Sequence, residues 1–148
     1  MKQIRLKSFS NNILMITASL VIIFLMSSCA TRKATFLSSV MVPAAEGTVK
    51  VKKDNNNNNA IKIEVTNLAE PDKLQPAMNV YVVWIETAAN EIKNIGQIKT
   101  GSNFLSSKLK ASFETVSSFT PVKVFITAEN DPSIVYPQGQ TILSTNNF

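Results

Sequence analysis

The 148-residue chain contains no histidine. That absence removes the commonest general base, the Ser-His-Asp and Cys-His nucleophile arrangements, and most zinc and copper sites. Cysteine occurs once, at Cys29, so no disulfide can form within one chain and the fold must hold by packing. With only four glycines there is no glycine-rich phosphate loop, and no basic stripe interleaved with aromatics suits single-stranded nucleic acid. Beyond Cys29, no stretch keeps a helical period over three turns. Enzymes built on histidine or on phosphate loops are therefore not expected.

What is present begins at the N-terminus. Lys2, Arg5 and Lys7 form a cationic head, Ile13–Met26 an apolar middle, and Ser27-Ser28 small residues just before Cys29. This is the layout of a secretory signal. The apolar run is about 14 residues and holds Thr17 and Ser19, against roughly 20 needed to span a bilayer as a helix. The ending Leu25-Met26-Ser27-Ser28-Cys29 resembles a bacterial lipobox. The resemblance implies a signal peptide over 1–28, a cut before Cys29, and a diacylglycerol on its thiol, with palmitate-type chains. Two or more acyl chains hold a protein on a membrane stably. Ala30 follows the cysteine, rather than an inner-membrane-retaining Asp, and no acidic run marks surface export. The expected location is the bacterial cell envelope, on the periplasmic face of the outer membrane, with the membrane as partner through Cys29.

Charge points the same way. Three of the 15 Lys and Arg leave with the signal while all 10 Asp and Glu stay, so the mature chain carries 12 minus 10, or +2. So small a charge gives no long-range field for nucleic acid.

Residues 29–47 mix small and polar side chains around Pro43 and read as a lipidated N-terminus and tether. From 48 to 148 the pattern is that of a β-domain. Val49 and Val51 alternate with Lys50 and Lys52, and Ile61, Ile63 and Val65 with Lys62 and Glu64. The intervening Asp54–Asn59 run reads as a hairpin loop, since Asn and Asp tolerate positive φ and bond their own backbone. Val80–Ile85 is apolar on both faces, as a covered central strand is. Further strands are expected around Ile92–Ile98, Leu109–Phe113, Val122–Ala128 and Thr141–Leu143, with turns at Thr87–Asn90, Asp131-Pro132 and Pro137–Gly139. About seven short strands predict an all-β, antiparallel, immunoglobulin-like two-sheet sandwich with Trp84 in its core.

Three pieces occur in fixed order: Asn79-Val80-Tyr81-Val82-Val83-Trp84, Asn94-Ile95-Gly96-Gln97-Ile98, and Val124–Glu129 followed by Pro137-Gln138-Gly139. That order resembles the extracytoplasmic C-terminal domain of anti-sigma-K-type regulators, over about residues 48–143. The resemblance implies the sandwich fold and a sensory or structural role outside the cytoplasm. It implies no catalytic residues and no sigma-factor binding, because the zinc-containing region and spanning helix of such regulators have no counterpart here. Physically, Gly96 suits a bulge between Ile95 and Ile98, and Gly139 a turn needing positive φ. Glu129 is expected near the surface, at the end of its strand.

Chemistry without histidine requires carboxylate pairs or a Ser-Lys dyad. Glu86 and Glu91 flank one turn, and Glu129 and Asp131 share another. Carboxylates beside turns are usually solvated, so a small carboxylate-dependent hydrolase is the weaker reading. Glu129-Asn130-Asp131 has too few carboxylates and the wrong spacing for a calcium loop. No cofactor, metal or catalytic residue is assigned, and no nucleic-acid partner. The expectation is a non-enzymatic binding or structural module, or else a sensory subunit, whose loops Glu86–Glu91 and Glu129–Gly139 gather at one end to meet an envelope protein or glycan.

Overall fold

Strict alternation in the sequence becomes strand pairing in the computed structural model, which describes residues 31–101 and 109–148. The signal-peptide and lipidation readings, at 1–28 and Cys29, lie outside the described residues. Nine strands are found among those residues. They are β1 Arg32–Thr35, β2 Glu46–Lys53, β3 Asn59–Thr66, β4 Val80–Thr87, β5 Ile92–Ile98, β6 Thr100–Gly101, β7 Lys110–Ser117, β8 Pro121–Glu129 and β9 Thr141–Ser144. All pair antiparallel. Sheet I has the order β1-β2-β3-β7-β6 and sheet II the order β5-β4-β8-β9. The antiparallel sandwich is as expected, and β1 and the two-residue β6 are the strands beyond the predicted seven.

The core lies between the sheets. Val49 and Val51 of β2 and Ile61, Ile63 and Val65 of β3 meet Tyr81, Val83 and Ile85 of β4 and Val124 and Ile126 of β8. Their neighbours Lys50, Lys52, Lys62 and Glu64 face solvent, as a period of two demands. The asparagine run turns the β2–β3 hairpin. The Asp54 carboxylate accepts the Asn56 and Asn58 N–H groups, both at 2.8 Å, and Asn57 takes φ 62°.

Two expectations are corrected. The segment 32–47, read as tether, belongs to the folded body. β1 pairs with β2 from Arg32↔Val51 to Thr35↔Thr48, Phe36 bridges to Thr145 beside β9, and Phe36, Val42 and Ala45 are buried. Apolar side chains at 36, 42 and 45 close one side of the sandwich, so only Ala30 and Thr31 remain between Cys29 and β1. Trp84 is buried, but not between the sheets. It lies on the outer face of sheet II in a second cluster with Val82 and Phe125, its ring stacked 6.3 Å from that of Phe125.

The opposite side of the sandwich is where the chain changes sheets. β5 leaves sheet II at Ile98 and β6 joins sheet I at Thr100. The expected bulge is present. Val83 faces Gly96 and Trp84 faces Asn94, leaving Ile95 over. Gly96 has φ 131°, and a Cβ there would press on the Phe113 ring of β7, so only glycine fits.

Candidate functional site

On the outer face of sheet II, β4 and β8 run side by side with Val82 opposite Thr127 and Val80 opposite Glu129. Trp84, Thr127 and Glu129 form a buried hydrogen-bonded chain. The Trp84 indole Nε1–H donates to Thr127 Oγ1 at 2.8 Å, and the Thr127 hydroxyl donates to Glu129 Oε1 at 2.6 Å. Indole can only donate, so the hydroxyl must pass its own proton bond onward to the carboxylate. Glu129 then accepts two loop amides, Gln138 N–H on Oε1 at 3.1 Å and Gly139 N–H on Oε2 at 2.8 Å.

Glu129 is therefore not near the surface: it is 3% exposed. The loop between β8 and β9 folds back over it and brings those amides. Gly139 also departs from expectation, since its φ is not positive. Glycine is needed there for space, because a Cβ would overlap the Ala128 carbonyl oxygen. Asn94, at the β5 bulge, clasps the other half of the loop. Its Nδ2 donates to the Pro132 and Ile134 carbonyls, each at 2.9 Å, while its Oδ1 accepts Gly96 N–H at 3.0 Å. Ile134 packs on the Trp84 cluster. On the inner face of β4, Tyr81 donates its hydroxyl to Ala69 O at 3.0 Å and pins the β3–β4 crossover. Burial, with the Asp72 charge adding to it, pushes the Tyr81 phenol up to about 12.

The carboxylates expected to gather at one end do not all do so. Glu129 lies opposite Val80 and Glu86 opposite Lys123, so the carboxylates mark opposite ends of β4, about 20 Å apart along the strand. Glu86 pairs with Lys123 at 3.8 Å and Glu91 with Lys93 at 3.5 Å. Asp131 is exposed, and its Oδ1 accepts both the N–H and the hydroxyl of Ser133, which holds its carboxyl below the usual range. With Glu129 turned inward and Asp131 outward, the two share no centre for a cation. Among the described residues, no three acidic or cysteine side chains gather as a metal set.

A groove of about 660 Å³ opens where the sandwich is not closed. Ile92–Ile95 of the edge strand β5 line one wall, Thr115–Phe119 the other, and Ser133–Tyr136 of the clasped loop the rim. Val116, Phe119, Val135 and Tyr136 stand 59%, 44%, 71% and 69% exposed, four large apolar side chains around one opening. Lys93 Nζ sits 5.1 Å from the centre of the Phe119 ring. None of the four was singled out from the sequence. The signal was there in β7, where Val116 takes an outward position after the polar Lys110, Ser112 and Glu114. Ile134-Val135-Tyr136 are likewise an apolar run within a polar loop. Compared with protein-family models, curated proteins and solved structures, the chain matches none.

Proposed function

We infer that this is a lipid-anchored protein of the bacterial cell envelope, held through Cys29, whose β-sandwich is a non-catalytic binding module for an envelope protein. The lipobox-like signal supports the anchor and its place. The observation that carries the binding role is the groove rimmed by Val116, Phe119, Val135 and Tyr136. A cluster of exposed apolar side chains on a rigid body marks a contact surface, and tyrosine and phenylalanine are enriched at protein interfaces. The rim loop is held from beneath by Glu129 and Asn94, so the surface is preorganised. Carboxylate catalysis gains no support, since Glu86 and Glu91 each carry a lysine and Glu129 is saturated by three donors.

A photo-crosslinker placed at Tyr136 in growing cells tests this reading. A protein-mass adduct that Phe119→Ser abolishes is the expected result. Adducts only with peptidoglycan fragments would move the reading to a glycan, and no adduct would end it. A second reading, an extracytoplasmic sensory subunit, rests on the anti-sigma-like motif order. Trp84, Asn94, Gly96, Thr127, Glu129 and Gly139 all serve the one loop clasp, which gives that order a single physical purpose.

A further inference from the structure

The register of sheet I lines up charge on its outer face. Lys33 of β1 lies opposite Lys50 of β2, Lys50 opposite Lys62 of β3, and Lys62 opposite Glu114 of β7. Lys52 lies one pleat further along β2 on the same face, and Glu64 beside the row. Glu64 sits 3.8 Å from Lys50 and 3.5 Å from Lys62, and Glu114 2.7 Å from Lys62. Lys110 and Glu46 lie on the same face, each opposite Thr66, so five ammonium groups meet three carboxylates, an excess of two. The mature chain has 12 cations and 10 anions, so the remainder balances at seven against seven. The entire positive excess of the mature chain lies on this face.

The same sheet begins next to the anchor. Ala30 and Thr31 alone separate Cys29 from Arg32 at the start of β1, a reach of at most about 10 Å. Charge attraction to a bilayer fades within roughly 8 Å at physiological salt, and anionic leaflets draw basic segments at close range. A link this short holds the start of the edge strand at a distance comparable to that range. We propose that the outer face of sheet I docks on an anionic phospholipid surface through Lys33, Lys50, Lys52 and Lys62, so that the domain lies on the membrane in one orientation. The clasped loop on the far side of sheet II then points away from the bilayer. The proposal rests on lipidation at Cys29.

The full-length chain, processed in bacteria and reconstituted into vesicles, tests it. Vesicles of phosphatidylcholine alone are compared with vesicles that also contain phosphatidylglycerol. After flotation, a membrane-impermeant amine reagent is applied and each lysine is read by mass spectrometry. Lys33, Lys50, Lys52 and Lys62 should react several-fold more slowly on the anionic vesicles, with Lys123 of sheet II unchanged and high salt erasing the difference. Lys50→Gln together with Lys52→Gln, both exposed, should restore the reactivity of Lys33 and Lys62. Equal labelling on both vesicles overturns the docking alone, as does slow labelling of Lys33 by itself on both. A chain that floats with neither vesicle overturns the lipidation reading, and the docking with it.

Discussion

The two sheets turn outer faces of opposite character to their surroundings. That of sheet I carries Lys33, Lys50, Lys52, Lys62, Glu64 and Glu114 into solvent. That of sheet II hides Val82, Trp84, Phe125, Thr127 and Glu129 beneath a loop. A face covered by another sheet needs only apolar side chains, because both ladders already satisfy their own backbone. A loop arrives with N–H and C=O groups that no ladder pairs. Glu129 supplies acceptors for two of its amides and Asn94 donors for two of its carbonyls, so each polar side chain stands in for a missing strand. Buried polarity on sheet II is the requirement of covering a sheet with a loop.

The largest test of that contrast is Trp84→Ala. Losing a buried tryptophan costs about 4 kcal/mol, which urea unfolding of the protein would measure, together with the release of the loop. Glu129→Ala should cost about 3 kcal/mol, since two amides and the Thr127 hydroxyl lose their acceptor. Glu129→Gln should cost less, and exposed Asp131→Ala should leave the unfolding midpoint where it is. If Glu129→Ala proved as silent as Asp131→Ala, the clasp would have no energetic meaning.

Tyr81 sharpens the comparison from the inner side of the same strand. Its phenol ionises near pH 10 when unfolded and at about 12 when folded. The neutral-form preference is fully present below pH 10 and is lost as pH rises toward 12. It is worth on the order of 3 kcal/mol at 1.36 kcal/mol per pKa unit. Stability measured from pH 9 to 12 should therefore fall, and Tyr81→Phe should flatten that limb. The smallest effect belongs to sheet I. Lys62→Gln breaks two solvent-exposed ion pairs and should leave thermal unfolding unchanged, as exposed pairs usually do.

The seven predicted strands were legible because period-two alternation is a local property, strongest in Val49–Lys52 and Ile61–Thr66. Gly96 was legible as a bulge for the same reason. Glu129 was not, because a residue at a strand end is exposed or buried according to a loop ten residues away. Trp84 was read as buried but assigned to the wrong face. β4 is apolar on both sides, and alternation then carries no sign of which side meets sheet I. The stretch 32–47 looked like a tether because Phe36, Val42 and Ala45 have no common period, and packing across two sheets leaves none. The groove was missed because its four apolar side chains come from separate segments.

Arg32 reaches across to the other end of the chain. Its Nη1 lies 3.1 Å from the Pro121 carbonyl oxygen and 3.5 Å from that of Phe148, with the guanidinium 5.6 Å from the centre of the Phe148 ring. First and last residues of the folded body are therefore neighbours. A body whose ends meet can be rewired: a short linker from Phe148 to Arg32, with new ends cut at Asn55 and Asn56 in the solvent-facing β2–β3 turn, leaves every strand pairing intact. The order of the strands along the chain would change while their order in space would not.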